Sequence, residues 1–316
     1  MLALSHHPFL RHLPPPLSSS SSSLPSFLTP NSVKRFGAVR ASMDQPAAAS
    51  QVMGFPHLPP PHRDLMVDLL STIEARLGPH LLPSVVPSDV LSFQGQGGAS
   101  RGALDIRSGG QDSSVDFILE SWLHCKVPSG SLNITTLFAF LKASTDAPHL
   151  LMEFIQGSPT SLILFMDLLP RKDLVLHPDY LDEFYQNTNV DKVRQELENV
   201  PQVLPYRSSS LYIRSVLSPT AVAVQINCGA EGESAMEEIM RVQLDSVAKE
   251  IMRIWLDKCA RSIKQLGETE RADLLRRDTL IKNKTVEIDL AANLPRLFGP
   301  DVANRVVEAI QKAYRI

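Results

Sequence analysis

Between about residues 90 and 170 the chain strings together apolar and β-branched runs with nothing helical between them. Leu104-Asp105-Ile106-Arg107 alternates, and Val115, Phe117, Leu119 and Leu123 lie two or four apart. Leu132 to Leu141, Leu150 to Gln156 and Ser161 to Leu168 follow, separated by Ser129-Gly130, Ala147-Pro148 and Gly157-Ser158-Pro159. Strands joined by such short breaks can only pair antiparallel, because a parallel crossover needs a dozen or more residues. This stretch therefore predicts an antiparallel meander at the centre of the fold.

Helical patterns flank it. Leu65, Leu69, Ile73 and Leu77 recur every fourth residue and stop at Gly78, as in an amphipathic helix with a glycine end. Residues 178–199 read as helix, 211–216 and 221–227 as a second strand pair, and 234–280 as a long helical stretch interrupted at Gly267. Pro300 to Tyr314 closes the chain as a helix with proline near its start. The fold class predicted is an α/β/α sandwich, with a central antiparallel sheet flanked by helices on both faces.

The chain has 316 residues, 43% hydrophobic and 21% charged, with a net charge of −3, which is globular composition. That average hides a split. Residues 1–41 contain no acid, four basic residues and six consecutive serines, Ser18 to Ser23. This is the composition of a chloroplast transit peptide, with Val39-Arg40-Ala41 before Ser42 resembling a stromal processing site. Without those four cations, 27 basic residues face 34 acidic ones, a net of −7. An acidic balance argues against nucleic-acid binding, and no apolar run is long enough for a membrane span. Residues 42–61, rich in Ala and Pro, read as a flexible linker, leaving 62–316 as one catalytic domain with order beginning at His62.

Common site chemistries are excluded by context. Cys125, Cys228 and Cys259 are too dispersed for a disulfide framework or a CxxC motif. Gly98-Ala99-Ser100-Arg101-Gly102 matches G-x-S-x-G, but in a glycine-rich loop between strands rather than at a strand–helix elbow. No histidine cluster suits a metal, and no phosphate-binding glycine motif opens a helix.

The informative residue is Glu153, inside Leu150-Leu151-Met152-Glu153-Phe154-Ile155. A carboxyl among residues that are apolar on both faces lies at a cavity or is buried. Burial disfavours the charged form of a carboxyl, which suits such a group to give up a proton. Its plain alternative is a structural acid paired with an arginine. Asp167, at the end of the next strand, reads as a turn or salt-bridge residue. Asp289, in Thr285-Val286-Glu287-Ile288-Asp289-Leu290, is a second candidate acid, or else a helix cap or solvated loop residue. Tyr206-Arg207-Ser208 offers a ring, a cation and a hydroxyl suited to an aromatic or carboxylated ligand. From Arg253 to Lys284 nine basic residues face five acidic ones, either a solvated helix face or a docking patch for an acidic partner.

The runs PHRDLMVDLLSTIEARLGPHLLPSVVPSDV (61–90), SVDFILESWLHCKVPSGSLNIT (114–135), RKDLVLHPDYL (171–181), LYIRSVLSPTA (211–221) and LPRLFGPDVANRVVEAIQKA (294–313) resemble the red chlorophyll catabolite reductases of plants. These form a branch of the ferredoxin-dependent bilin reductase family. The resemblance implies an α/β/α sandwich with no bound cofactor, receiving electrons from reduced ferredoxin. Red chlorophyll catabolite, an open-chain tetrapyrrole, would lie between the sheet and the C-terminal helices and be reduced at C20/C1. The product would be primary fluorescent chlorophyll catabolite, formed as chlorophyll is detoxified in senescence and cell death. It implies a homodimer in the chloroplast stroma and leaves open docking to pheophorbide a oxygenase. Glu153, followed by Met166-Asp167-Leu168-Leu169-Pro170, matches the family's proton donor, although most bilin reductases carry aspartate there. The family's partner histidine has no counterpart. Asp289 matches the second acidic contact, Tyr206, Arg207 and Ser208 the substrate loop, and Leu217 the position that sets stereochemistry at C1. A non-catalytic plastid protein that sequesters a tetrapyrrole, or a reductase of a haem-derived bilin, are the rival readings.

Overall fold

The structure is a computed structural model and describes residues 54–127, 130–229 and 232–316. The leader and most of the linker lie outside the described residues. Among the described residues nine strands form one sheet: β1 (Leu81–Ser84), β2 (Ser92–Gln94), β3 (Ser100–Gly109), β4 (Val115–Val127), β5 (Gly130–Leu141), β6 (His149–Ser158), β7 (Ser161–Leu169), β8 (Val203–Pro205) and β9 (Val222–Asn227). Their order is β1-β3-β4-β5-β6-β7-β9-β8, with β2 beside β3, and every pairing is antiparallel. The predicted meander is thus β3 to β7.

Among the described residues the α-helices of six or more residues are α1 (Pro60–Leu77), α2 (Val190–Glu198), α3 (Leu211–Val216), α4 (Gly232–Glu238), α5 (Asp245–Ile254), α6 (Glu268–Thr285), α7 (Ala291–Phe298) and α8 (Pro300–Tyr314). They divide between the two faces of the sheet because strand side chains alternate. Leu150, Met152 and Phe154 of β6 pack with residues of α1, α2, α4 and α5. Leu151 and Ile155 of the same strand pack with residues of α6, α7 and α8. With both faces covered, β6 and β7 carry nearly continuous apolar sequence, which is why a lone acid in β6 stands out.

Three expectations need correction. Leu211–Val216 is a helix, not a strand. Ser210 caps it, its Oγ accepting from the Ile213 amide at 3.3 Å, and its two buried residues, Ile213 and Val216, stand three apart. That local cap outweighs a composition neutral between helix and strand. β9 pairs with β7 and the short β8 instead. Second, residues 285–290 do not link two helices as a loop. The π-helical turn Val286–Leu290 continues α6 directly into α7. Third, packing begins before His62: Phe55 and Leu58 are buried in the α1-side core. The 98–102 segment, expected as loop, is loop only at its start: Ser100, Arg101 and Gly102 already belong to β3, and Gly97 just before it has φ 81°, in a turn that only glycine adopts without strain.

Candidate active site

Strand register brings the candidate residues toward one place. Glu153 of β6 stands between Thr136 of β5 and Phe165 of β7, in the middle of the sheet and on the face covered by α6, α7 and α8. It is fully buried. The Thr136 hydroxyl donates to its Oε1 at 3.4 Å.

Asp289 reaches that side from the π-helical turn and is also fully buried. A π turn inserts a residue into the helical ladder and re-aims the side chains it carries. Asn293, one turn on, donates from Nδ2 to Asp289 Oδ1 at 3.1 Å and to its carbonyl at 2.9 Å. These bonds fix the carboxyl's orientation.

Both acids act electrostatically on a residue that sequence reasoning missed. Tyr314, the last residue of α8, is buried with its ring stacked on Phe117 at 5.1 Å between centroids. Its phenol is held well above the ordinary range, first by burial and then by the negative charges of Glu153 and Asp289. The two acids therefore act on one hydroxyl that keeps its proton throughout the physiological range. Lys282 covers the same rings, its Nζ 5.0 Å from Phe117 and Phe140 and 6.0 Å from Tyr314, while bonding Asp116 at 3.0 Å. The signal for Lys282 was legible: Leu274, Asp278, Ile281, Lys282 and Thr285 share one buried helix face. Tyr314 gave no signal beyond an amphipathic helix.

The remaining candidates line the β7–β9 side of this face. Tyr206 is half-buried, edge-on to Phe165 at 5.6 Å, and Phe165 is the residue directly opposite Glu153. Ser208 is buried, its Oγ accepting from the Ser210 amide at 3.2 Å. Arg207, between them, is exposed. Leu217 is half-buried against the same apolar cluster. The structure thus places Glu153, Asp289, Tyr206 and Leu217 around one face, with Arg207 at its rim.

Asp167 corrects another expectation. It is neither in a turn nor in a salt bridge but fully buried in β7. Its Oδ2 accepts from the Ser218 amide at 2.7 Å and its Oδ1 from the Ser218 hydroxyl at 2.6 Å. Burial pushes its carboxyl up to about 7, against the pull of those two bonds.

Beside the acids, His149, Asp278 and Arg171 form a buried ionic cluster. Leu141 N donates to His149 Nδ1 at 3.0 Å, so the ring proton sits on Nε2, which faces Asp278 Oδ1 at 2.9 Å. Arg171 holds the same carboxylate through Nη2 at 2.6 Å. His62 faces away from the site, on the α1 side, between Gln156 Oε1 at 3.1 Å and Thr135 Oγ1 at 2.9 Å. It is a core histidine. The basic stretch from Arg253 is largely paired: Arg253 with Glu250 and Asp257, Lys264 with Asp146 and Glu183. Among the described residues no group of three or more His, Cys, Asp or Glu could hold a metal, and no helix is long and apolar enough to cross a membrane. The three cysteines are buried and form no disulfide with one another.

Comparison with known proteins adds sequence and fold evidence. The family model "Red chlorophyll catabolite reductase (RCC reductase)" matches residues 61–312. The chain is 48% identical to red chlorophyll catabolite reductase 1, chloroplastic, of Oryza sativa subsp. japonica, over 96% of this chain and 97% of that one. It is 44% identical to the Arabidopsis thaliana chloroplastic reductase of that name, over 94% and 97%. A Hordeum vulgare relative is 54% identical over 64% of this chain and 98% of its own. In fold the chain is similar to tomato phytochromobilin synthase solved in complex with biliverdin, with a TM-score of 0.61 at 16% identity, covering 80% of this chain and 84% of that one.

Proposed function

Because the chain belongs to the red chlorophyll catabolite reductase family, we propose that it reduces the C20/C1 double bond of red chlorophyll catabolite in the chloroplast stroma. The observation that carries this reading is the convergence of two buried carboxyls, Glu153 and Asp289, on one face of the sheet under α7 and α8.

The reaction adds two electrons and two protons across one carbon–carbon double bond, giving primary fluorescent chlorophyll catabolite. In this reading electrons come singly from reduced ferredoxin. The tetrapyrrole lies over β5, β6 and β7, with a pyrrole ring against Tyr206 and a carboxylate toward Arg207. The first electron makes the bound pigment a stronger base, so a positioned acid can protonate it. Glu153 is that donor. Asp289, held by Asn293, orients the pigment or gives the second proton. In this reading Leu217, packed against the apolar cluster of that face, decides which side of C1 receives the new bond. A homodimer, and docking to pheophorbide a oxygenase, belong to the same reading.

The test is an anaerobic assay of the chain with red chlorophyll catabolite and reduced ferredoxin. A blue-fluorescent product requiring both components supports the reductase. Tight binding with no product would point to sequestration, and preference for a haem-derived bilin in competition would reassign the substrate.

A further inference from the structure

Asp167 has no part in the proton transfer assigned to Glu153 and Asp289, yet it is a fully buried carboxyl on the same side of the sheet. Its neighbour Phe165, two residues back and on the same face, stands opposite Glu153. A buried carboxyl is costly unless its oxygens are bonded. Here both oxygens are used, and both go to one residue 51 positions away, Ser218. The Ser218 hydroxyl in turn meets Thr220 Oγ1 at 3.0 Å and accepts from the Thr220 amide at 3.1 Å. The carboxyl therefore anchors the connection between α3 and β9 at the point where Leu217 enters the apolar cluster. A simple connection between a helix and a strand could be closed by its own backbone. This one is pinned from beneath by the strand that runs beside Glu153.

We propose that Asp167 is a positioning residue of the reductase site, holding the Leu217–Thr220 connection as a fixed wall against the tetrapyrrole. It acts through Ser218 and does not touch the reacting carbons. Reduction at C1 creates a stereocentre, so a wall that moves would admit the pigment in more than one pose. The inference rests on the reductase reading given above.

The experiment compares the full chain with Asp167→Asn, Ser218→Ala and the double variant. KM, kcat and the C1 epimer composition of the product are measured with reduced ferredoxin, and catabolite affinity by absorbance titration. Asparagine cannot accept both Ser218 bonds, so Asp167→Asn should raise KM about tenfold and give both epimers, with kcat changed less. Ser218→Ala, the milder change should Asp167→Asn fold poorly, should move the same two readouts in the same direction. The double variant should be no worse than Asp167→Asn, because the pair acts as one unit. Wild-type KM and a single epimer in both single variants would overturn the proposal. So would a loss confined to kcat in Asp167→Asn with Ser218→Ala unaffected, which would make Asp167 a proton donor. A wild-type chain without turnover would refute the reductase reading instead. The titration would then still decide: weaker affinity in both variants supports the wall, and unchanged affinity overturns it.

Discussion

Replacing Asp278 with asparagine removes the one negative charge from the buried cluster that ties β6, the segment after β7 and α6 together. Asp278 takes Arg171 through Nη2 at 2.6 Å and Nε at 3.3 Å, and His149 Nε2 at 2.9 Å. Arg171 spends Nη1 on the carbonyls of Lys142 and Thr145, at 3.1 and 2.5 Å. Arg171 is 3% exposed and His149 0%, so water cannot replace the lost carboxylate. Leaving a buried charge without its partner costs about 3–5 kcal/mol. For a domain of this size that lowers the melting temperature by about 6–20 °C. Urea unfolding followed by circular dichroism would measure the first figure and a thermal scan the second. Converting the pair to apolar residues, Arg171→Met with Asp278→Leu, should recover much of the loss, since the desolvation cost disappears with the charges. A loss under about 1 kcal/mol in Asp278→Asn would refute the reasoning. The same cluster sets an acid limit on stability. Burial lowers His149 to about 4, although Asp278 pulls the other way. The folded protein thus keeps His149 neutral while the unfolded chain takes up a proton near 6.5, so this contribution is present above pH 6.5 and is lost between 6.5 and 4. Asp278 lies near 2, held there by His149 and Arg171 against its burial. Its contribution is present above the unfolded value and disappears as pH falls through 2.

Two shorter predictions follow from the site and its frame. Tyr314→Phe deletes the hydroxyl that both acids act upon but keeps the ring stack on Phe117. It should lower kcat about tenfold with catabolite affinity retained, read by steady-state kinetics beside absorbance titration. Ser210→Ala removes the cap of α3 and should destabilise the protein by about 1 kcal/mol in denaturant unfolding, with little change in kcat.

Much of this architecture was legible in sequence because the meander is local. Each strand from β3 to β7 is an apolar run bounded by its own turn, so pairing follows chain order. Glu153 was visible for the same reason, a carboxyl in a run with no polar face. The misreadings share a cause in contacts that periodicity does not carry. Leu211–Val216 turned on a single serine cap. Asp289 sat in a segment resembling a linker because a π turn breaks the 3.6-residue rhythm without ending the helix. Asp167 looked like a turn acid because its partner Ser218 is 51 residues on. Tyr314 was invisible because the acids it meets lie on β6 and on the π-helical turn. The resemblance to known reductases singled out Tyr206, Arg207, Ser208, Glu153 and Asp289 as candidates, but it could not show which groups hold them in place.

The central claim is that Glu153 delivers a proton to a tetrapyrrole bound on this face. The direct test is Glu153→Gln in the full chain, assayed anaerobically with red chlorophyll catabolite and reduced ferredoxin beside an absorbance titration of binding. Glutamine keeps the shape and can still accept from Thr136, but it carries no acidic proton. The account predicts near-normal binding with turnover reduced at least about a hundredfold. Wild-type turnover in that variant would contradict it.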